Sequence, residues 1–418
     1  MQSSTTSFPL SFMKLRPFWV LLHRYTGLAM TAFLIVVGLT GSLLAFLPEL
    51  DDVINPQWSV PVKTGMLPDP VILMENAERL DTTIKADTVW LSDTAATVTV
   101  SSRTANDVGY DQMIFNPYTN ELLGKRLYGD LSQGLQNLMP FVYKLHYALA
   151  LDEIGGWILG ITALVWTLDC FIGFYLTLPP SKTTRSVPNP LATKTFWQRW
   201  QPAWLIKWSA SKTRINFDLH RAGGLWLWLA LLVFAWSSVY MNLGGFYTQV
   251  MQSVSEYHQP WTEFPDLPQP VQNPQISWRQ AQDIAQAELN HLEQTQGIRT
   301  IAPSGFWINR AKGFYVYAVK STADIQDHGG QTRVVIDANS GTVKQVLLPT
   351  GQYSGNTITS WLLAIHTANI WGLPYKIFVC VLGLAIVMLS VTGVIIWLKK
   401  RRATRQHQTK KITVDKAC

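Results

Sequence analysis

Four apolar runs dominate this chain, and each is long enough to cross a bilayer as a helix, which takes roughly 20 residues. They lie at about Phe18–Leu47, Gly156–Leu178, Leu225–Leu243 and Ile377–Leu398. Between them are long polar stretches, and the whole chain of 418 residues is 48% hydrophobic. That mixture predicts membrane spans alternating with water-soluble parts. The first run is too long for a signal peptide and has no convincing small-residue cleavage site, so it reads as a retained anchor.

The charges orient the spans. Lys182, Arg185, Lys194, Arg199, Lys207, Lys212 and Arg214 crowd the loop between the second and third spans, and Lys399 to Arg402 follow the fourth. Basic loops stay in the cytoplasm, so both termini and the middle loop are expected there. Residues 48–145 and 247–365 then lie outside. The net charge of +7 is thereby a topology signal and not a nucleic-acid footprint.

The chain repeats itself. Residues 21–28 read LLHRYTGL and 218–225 read DLHRAGGL. Residues 143–160, YKLHYALALDEIGGWILG, match 363–383, LAIHTANIWGLPYKIFVCVLG. The second and fourth spans end near Gly173 and Gly393, each followed by aromatic or branched residues. The unit of span, outside segment, span occurs twice, and repeats of this kind build a site between halves. The outside segments match as well. Each has a helix-like stretch (70–80 and 276–292) followed by alternating strand-like runs with a turn sequence, Asn116–Asn120 or Asp337–Gly341. Each reads as a helix with β-hairpins, a small α+β unit. A Pro-rich stretch from Pro260 to Pro274 leads into the second.

Four of the eight His stand at matched places near span starts. The topology puts His23 and His220 at the cytoplasmic face and His146 and His366 at the outer face. Two facing imidazoles in an apolar, aromatic-rich bundle suit axial ligation of haem. Arg24, Arg221 and Lys144 are then candidate propionate partners. Two other readings stay open on the pattern alone. Histidine and arginine are common membrane-interface anchors, and two His form half of a zinc shell, although no HExxH occurs. Asp169, inside the second span, is a candidate for proton handling or for a hydrogen bond to a nearby Ser or Thr, since intramembrane carboxylates are costly and often functional. No CxxCH, GxGxxG or P-loop occurs, which leaves out c-type haem and a built-in nucleotide site. None of the three Cys lies in an outside segment. The stretch FWQRWQPAWLIKW spaces Trp197, Trp200, Trp204 and Trp208 nearly helically, as an interfacial helix or a docking site for a reductase.

LLHRYTGLAMTAFLIVVGLTGSLLAF, FNPYTNELLG, YKLHYAL, DLHRAGG and AIHTANIWGLP together resemble the PepSY-associated transmembrane-helix proteins. These include iron-regulated inner-membrane proteins of Gram-negative bacteria and ferric-siderophore reductases. The third span departs from the pattern, with Ala235 to Tyr240 where a Leu-Thr-Gly is expected. The resemblance implies an α-helical membrane protein, a four-helix transmembrane bundle with two periplasmic α+β PepSY-like domains and an internal duplication. The boundaries are a cytoplasmic N-terminus (1–17), a first span (18–47), a first PepSY-like domain (48–140), an edge helix with the second span (141–178), a cytoplasmic basic Trp-rich loop (179–217), a third span (218–246), a second PepSY-like domain (247–360), a fourth span (361–398) and a basic tail (399–418).

The resemblance also implies two non-covalent haem b groups with His23, His146, His220 and His366 as axial ligands; pairing them by membrane face is a topological inference. The expected activity is reduction of a ferric siderophore or other ferric chelate, which releases Fe(II), with a cytoplasmic reductase or quinol as donor. A non-enzymatic membrane protein, whose PepSY-like domains bind or regulate a periplasmic peptidase or ligand, is the alternative. A transporter predicts charged residues at mid-membrane, and only Asp169 fits.

Overall fold

The computed structural model describes residues 16–63, 67–92, 94–102, 108–180, 194–261 and 264–415, with side chains to 406. Lys182 and Arg185 of the basic loop lie outside the described residues. In chain order the elements are α1 (Arg16–Leu44), α2 (Leu47–Ile54), α3 (Pro70–Leu80), β1 (Ile84–Leu91), β2 (Ala96–Ser102), β3 (Gln112–Phe115), β4 (Leu122–Arg126), α4 (Leu138–Ala148) and α5 (Asp152–Thr177). They continue with α6 (Phe196–Trp200), α7 (Lys212–Trp226), α8 (Trp228–Asn242), α9 (Gly244–Val254), α10 (Trp278–Gln296), β5 (Thr300–Asn309), β6 (Phe314–Ser321), β7 (Thr332–Asp337), β8 (Val343–Leu347), α11 (Ser354–His366) and α12 (Gly372–Asp415). The chain divides into two compact units.

The first unit is helical and comprises residues up to 42, 153–243 and from 380 onward. Helices α1, α5 and, over Gly372–Gln406, α12 are long and apolar enough to cross a membrane. The third apolar run departs from the single span expected over 218–246. It breaks into α7 and α8, bent by 68°, and supplies a fourth span only if the pair counts as one. Gly223 and Gly224 precede the break, and paired glycines weaken a helix where neighbouring packing bends it. Gly223 lies against Met388 and Gly224 against Leu389 of α12.

Small residues let α1 and α12 touch backbone to backbone. A Cβ on Gly38 would lie 2.8 Å from the Gly383 carbonyl oxygen, and one on Gly383 would collide with Ser42 and the Gly38 carbonyl. Ser42 Oγ donates across the crossing to the Cys380 carbonyl at 2.9 Å. Without a hydrophobic drive between spans, close packing and such bonds hold helices together.

The second unit, residues 43–152 and 244–379, holds an antiparallel sheet. The two outside segments, expected as separate domains, share it. Its eight strands run β4-β3-β2-β1-β5-β6-β7-β8, and the seam pairs Thr88 with Trp307, Val89 with Phe306 and Trp90 with Gly305. Pairing β1 with β5 removes two edges that separate four-stranded sheets would expose. Side chains alternate between the faces. Val89, Val98, Phe306, Tyr315 and Val334 face α3 and α10, which bring Leu73, Met74, Ala285 and Leu289 into the same core. Phe314, Val316 and Val335 turn the other way, against Trp261 and Phe264.

Local chemistry explains the helix starts and turns. Asp69 accepts from the Val71 and Ile72 N–H groups and Pro70 opens α3, while Ser277 and Gln280 form a capping box at α10. Both expected hairpin turns are present, with Asn116 Oδ1 accepting from Tyr118 and Thr119 and Asp337 Oδ1 from Asn339 and Ser340.

Two outcomes test this packing. Gly383→Val is expected to wedge α1 from α12 and cost about 1–3 kcal/mol, read as a lower melting temperature of the detergent-solubilised protein. At Asp337 burial raises the carboxyl, but the Ser340 and Asn339 N–H groups and Lys344 outweigh it and hold the group down to about 2. A depressed carboxyl stabilises the fold above the ordinary carboxylate range, and the contribution fades as pH falls towards 2. With the side chain 23% exposed, about 1–2 kcal/mol is at stake. Asp337→Asn is expected to lower the melting temperature at pH 7 and by less at pH 3. An equal loss at both would place the effect outside the charge.

Candidate functional site: two histidine pairs

The four matched histidines come together two by two. His23 on α1 and His220 on α7 have ring centroids 6.1 Å apart at an interplanar angle of 58°. His146 on α4 and His366 on α11 stand 6.3 Å apart at 63°. The first pair lies in the helical unit and the second in the sheet unit. With about 2 Å from a metal to each imidazole nitrogen and half a ring beyond it, two trans imidazoles sit ~6 Å apart centre to centre. Both ring separations are compatible with two imidazoles that share one metal ion.

The second pair lies just ahead of the apolar helices α5 and α12. His146 is in the last turn of α4 and His366 ends α11, short helices that stop before the apolar ones begin. Leu149 and Ala150 break the first connection with φ of 53° each, and Ala368 (53°) and Trp371 (58°) break the second. Left-handed residues of this kind end helices. Burial pushes His366 down to about 3, with His146 adding to the effect; the neutral imidazole is the form that ligates metals.

His23 and His220 line one cavity of about 440 Å³, with Met30, Trp228, Leu231 and Ile386 among its apolar walls. Each ring rests on a glycine of a neighbouring helix. A Cβ on Gly173 of α5 would lie 3.5 Å from His23 Cε1, and one on Gly393 of α12 would lie 3.2 Å from His220 Cε1. Each ring is also held through Nδ1. His220 Nδ1 lies 3.0 Å from the Leu389 carbonyl and 3.2 Å from Thr392 Oγ1. His23 Nδ1 lies 2.9 Å from Asp169 Oδ2. A carbonyl can only accept, so His220 carries its proton on Nδ1, and the carboxylate calls for the same tautomer at His23. Nε2 is then the nitrogen with a lone pair on both rings.

The donor set fits a flat, largely apolar group ligated on both sides. It does not extend to a tetrahedral shell: among the described residues no group of three or more His, Cys, Asp or Glu is placed to hold a metal ion. Asp169 is 7% exposed, and Thr26 Oγ1 stands 3.1 Å from its Oδ1. This is the hydrogen bond to a neighbouring Thr that the sequence suggested, and the approach of the other carboxylate oxygen to His23 Nδ1 is an additional contact.

The cationic candidates divide. Arg24 lines the cavity. Arg221 lines it too, but its guanidinium already donates to Asp218 at 2.8 Å and to the Pro202 carbonyl at 2.5 Å. Asp218 is buried and also receives Arg214 at 2.9 Å. Lys144 turns to Tyr128, with its amine 5.6 Å from the ring centre, and packs on Gly129. The Trp-rich stretch is α-helical over Phe196–Trp200 and continues as a 3-10 turn over Gln201–Ala203, where Pro202 ends the α-helical bonding. Trp200 is buried, 5.9 Å from Phe174, which in turn lies 4.8 Å from Trp228 of the cavity wall.

Gly173, Gly393, Leu389 and Trp228 belong to the site without having been assigned to it from the sequence. The repeated glycines were its one visible signal. The backbone carbonyl of Leu389 has none, because every residue has one.

No curated protein matches the chain in sequence. The family described as the PepSY-associated TM region matches residues 20–400, nearly the whole length. The chain is therefore a membrane protein belonging to the PepSY-associated transmembrane family.

Proposed function

We propose that the protein is an inner-membrane oxidoreductase that holds two haem b groups, one per histidine pair, and reduces ferric chelates such as ferric siderophores outside the membrane. The observation that carries this reading is the pair of matched imidazole separations, 6.1 and 6.3 Å. Interface anchors have no reason to meet in two such pairs from helices with the same sequence pattern.

In this reading α1, α5, the bent α7–α8 pair and α12 are four spans of a duplicated chain. The termini and the basic loop are cytoplasmic by the positive-inside rule, and the sheet unit is periplasmic. His23 and His220 then serve the cytoplasmic side, His146 and His366 the periplasmic side. Haem bound by these histidines would supply a one-electron iron couple.

The protein's own residues hold and orient. The Leu389 carbonyl accepts from His220 Nδ1, Asp169 lies against His23 Nδ1, and Gly173 and Gly393 leave space at the ring edges. Arg24, which lines the cavity, is better placed for a propionate than Arg221, which Asp218 occupies; at the outer pair the candidate is Lys144, once it leaves Tyr128. The donor is a cytoplasmic reductase docking at the Trp-rich stretch, or a membrane quinol, with Trp200, Phe174 and Trp228 as the aromatic path to the cavity. The substrate is Fe(III) in an oxygen-rich chelate. Fe(II) is held far more weakly by such ligands, so reduction releases it.

A dithionite-reduced minus oxidised visible spectrum of the purified protein, with its haem-to-protein ratio, tests the reading. A b-type spectrum is expected. His146→Ala or His366→Ala is expected to halve the haem content and to bring ferric-chelate reduction to background. A protein that stays colourless after expression with haem supply overturns the proposal and leaves the sheet unit as the functional part.

A further inference from the structure

The two histidines of the inner pair are held by unlike groups at equivalent places. On α5, Asp169 lies four residues before Gly173; on α12, Leu389 lies four residues before Gly393. In both helices the glycine faces a histidine edge and the residue one turn earlier meets that histidine's Nδ1. In one half the acceptor is a carboxylate, in the other a neutral backbone carbonyl. Asp169 is 7% exposed within an apolar helix, and its Oδ2 lies 2.9 Å from His23 Nδ1. Its other oxygen is close to Thr26 Oγ1 at 3.1 Å, a hydroxyl shared with the Leu22 carbonyl at 2.8 Å. An intramembrane carboxylate is costly to keep. A histidine that donates its second N–H to a carboxylate becomes a stronger electron donor at the first nitrogen.

We propose that Asp169 is a positioning residue that presents His23 Nε2 for axial ligation and, by drawing on the Nδ1 proton, makes His23 a more electron-rich ligand than His220. This rests on the haem reading above. An electron-rich ligand stabilises Fe(III) over Fe(II), so Asp169 holds the potential of the inner haem down and favours release of its electron. Thr26 moderates the effect, because its hydroxyl takes up part of the carboxylate charge.

The test is a redox titration, followed in the visible spectrum, of full-length protein in detergent. Asp169→Asn keeps an oxygen that accepts from Nδ1 but removes the charge, and so copies the arrangement at His220. It is expected to keep the haem-to-protein ratio and raise one of the two midpoint potentials while the other stays in place. Unchanged potentials with full haem content overturn the proposal, as does an equal shift of both. If Asp169→Asn is not recovered with haem, Thr26→Val is titrated instead. It leaves the charge and removes the hydroxyl, and one potential is expected to fall; no movement overturns the proposal. Wild-type protein without haem would fail earlier, and would remove the dihaem reading with it.

Discussion

The two imidazoles of the inner pair each reach across to a neighbouring helix, and these contacts link four helices two by two. His23 joins α1 to α5 through Asp169, and His220 joins α7 to α12 through Leu389 and Thr392. Asn216 adds a second bond from α7 to the Thr392 carbonyl at 3.1 Å. Among apolar side chains an unsatisfied N–H costs more than a hydrogen bond contributes. The bonds of His220 and Asn216 therefore fix how α7 is rotated against α12, which general apolar packing leaves loosely determined. Gly393 keeps room for the His220 ring, since a Cβ there would stand 3.2 Å from Cε1, while at Gly173 a Cβ would only touch His23 at 3.5 Å.

The sheet unit reaches its histidine pair by another route. His146 and His366 ride on short helices that end in left-handed residues. The strand order is symmetrical about the β1–β5 seam, so two segments far apart in the chain become one sheet with a helix from each on the same face. Arg279 and Asp69, 2.7 Å apart, link the starts of those two helices. Equivalent parts of the two segments are thereby brought together, as the ring separation of the second pair requires.

Much of this was legible before any coordinates. The apolar runs, the helices at 70–80 and 276–292 and the two hairpin turns follow from residue pattern and local capping, which act over a few residues. The four histidines stood out because they recur at matched places in a chain with eight. The break at Leu227 was not legible, since the run from Leu225 to Leu243 reads as one apolar stretch, and the contacts beside it, Gly223 with Met388 and Gly224 with Leu389, join residues far apart in the chain. Nor was the single sheet: β1 and β5 are more than 200 residues apart, and nothing in either strand names its partner. Arg221 looked like a cavity cation in the sequence, yet its neighbour three residues earlier, Asp218, holds it.

By itself the sequence determined which segments are apolar enough for a membrane, where helices and turns begin, and which four histidines are equivalent. These are properties of residue type and spacing. Only the tertiary structure decided that the histidines meet as two pairs, that one of them leans on a carboxylate and another on a backbone carbonyl, and that two segments form one sheet. Such contacts join residues far apart in the chain, and their geometry depends on how helices rotate and strands register when they pack.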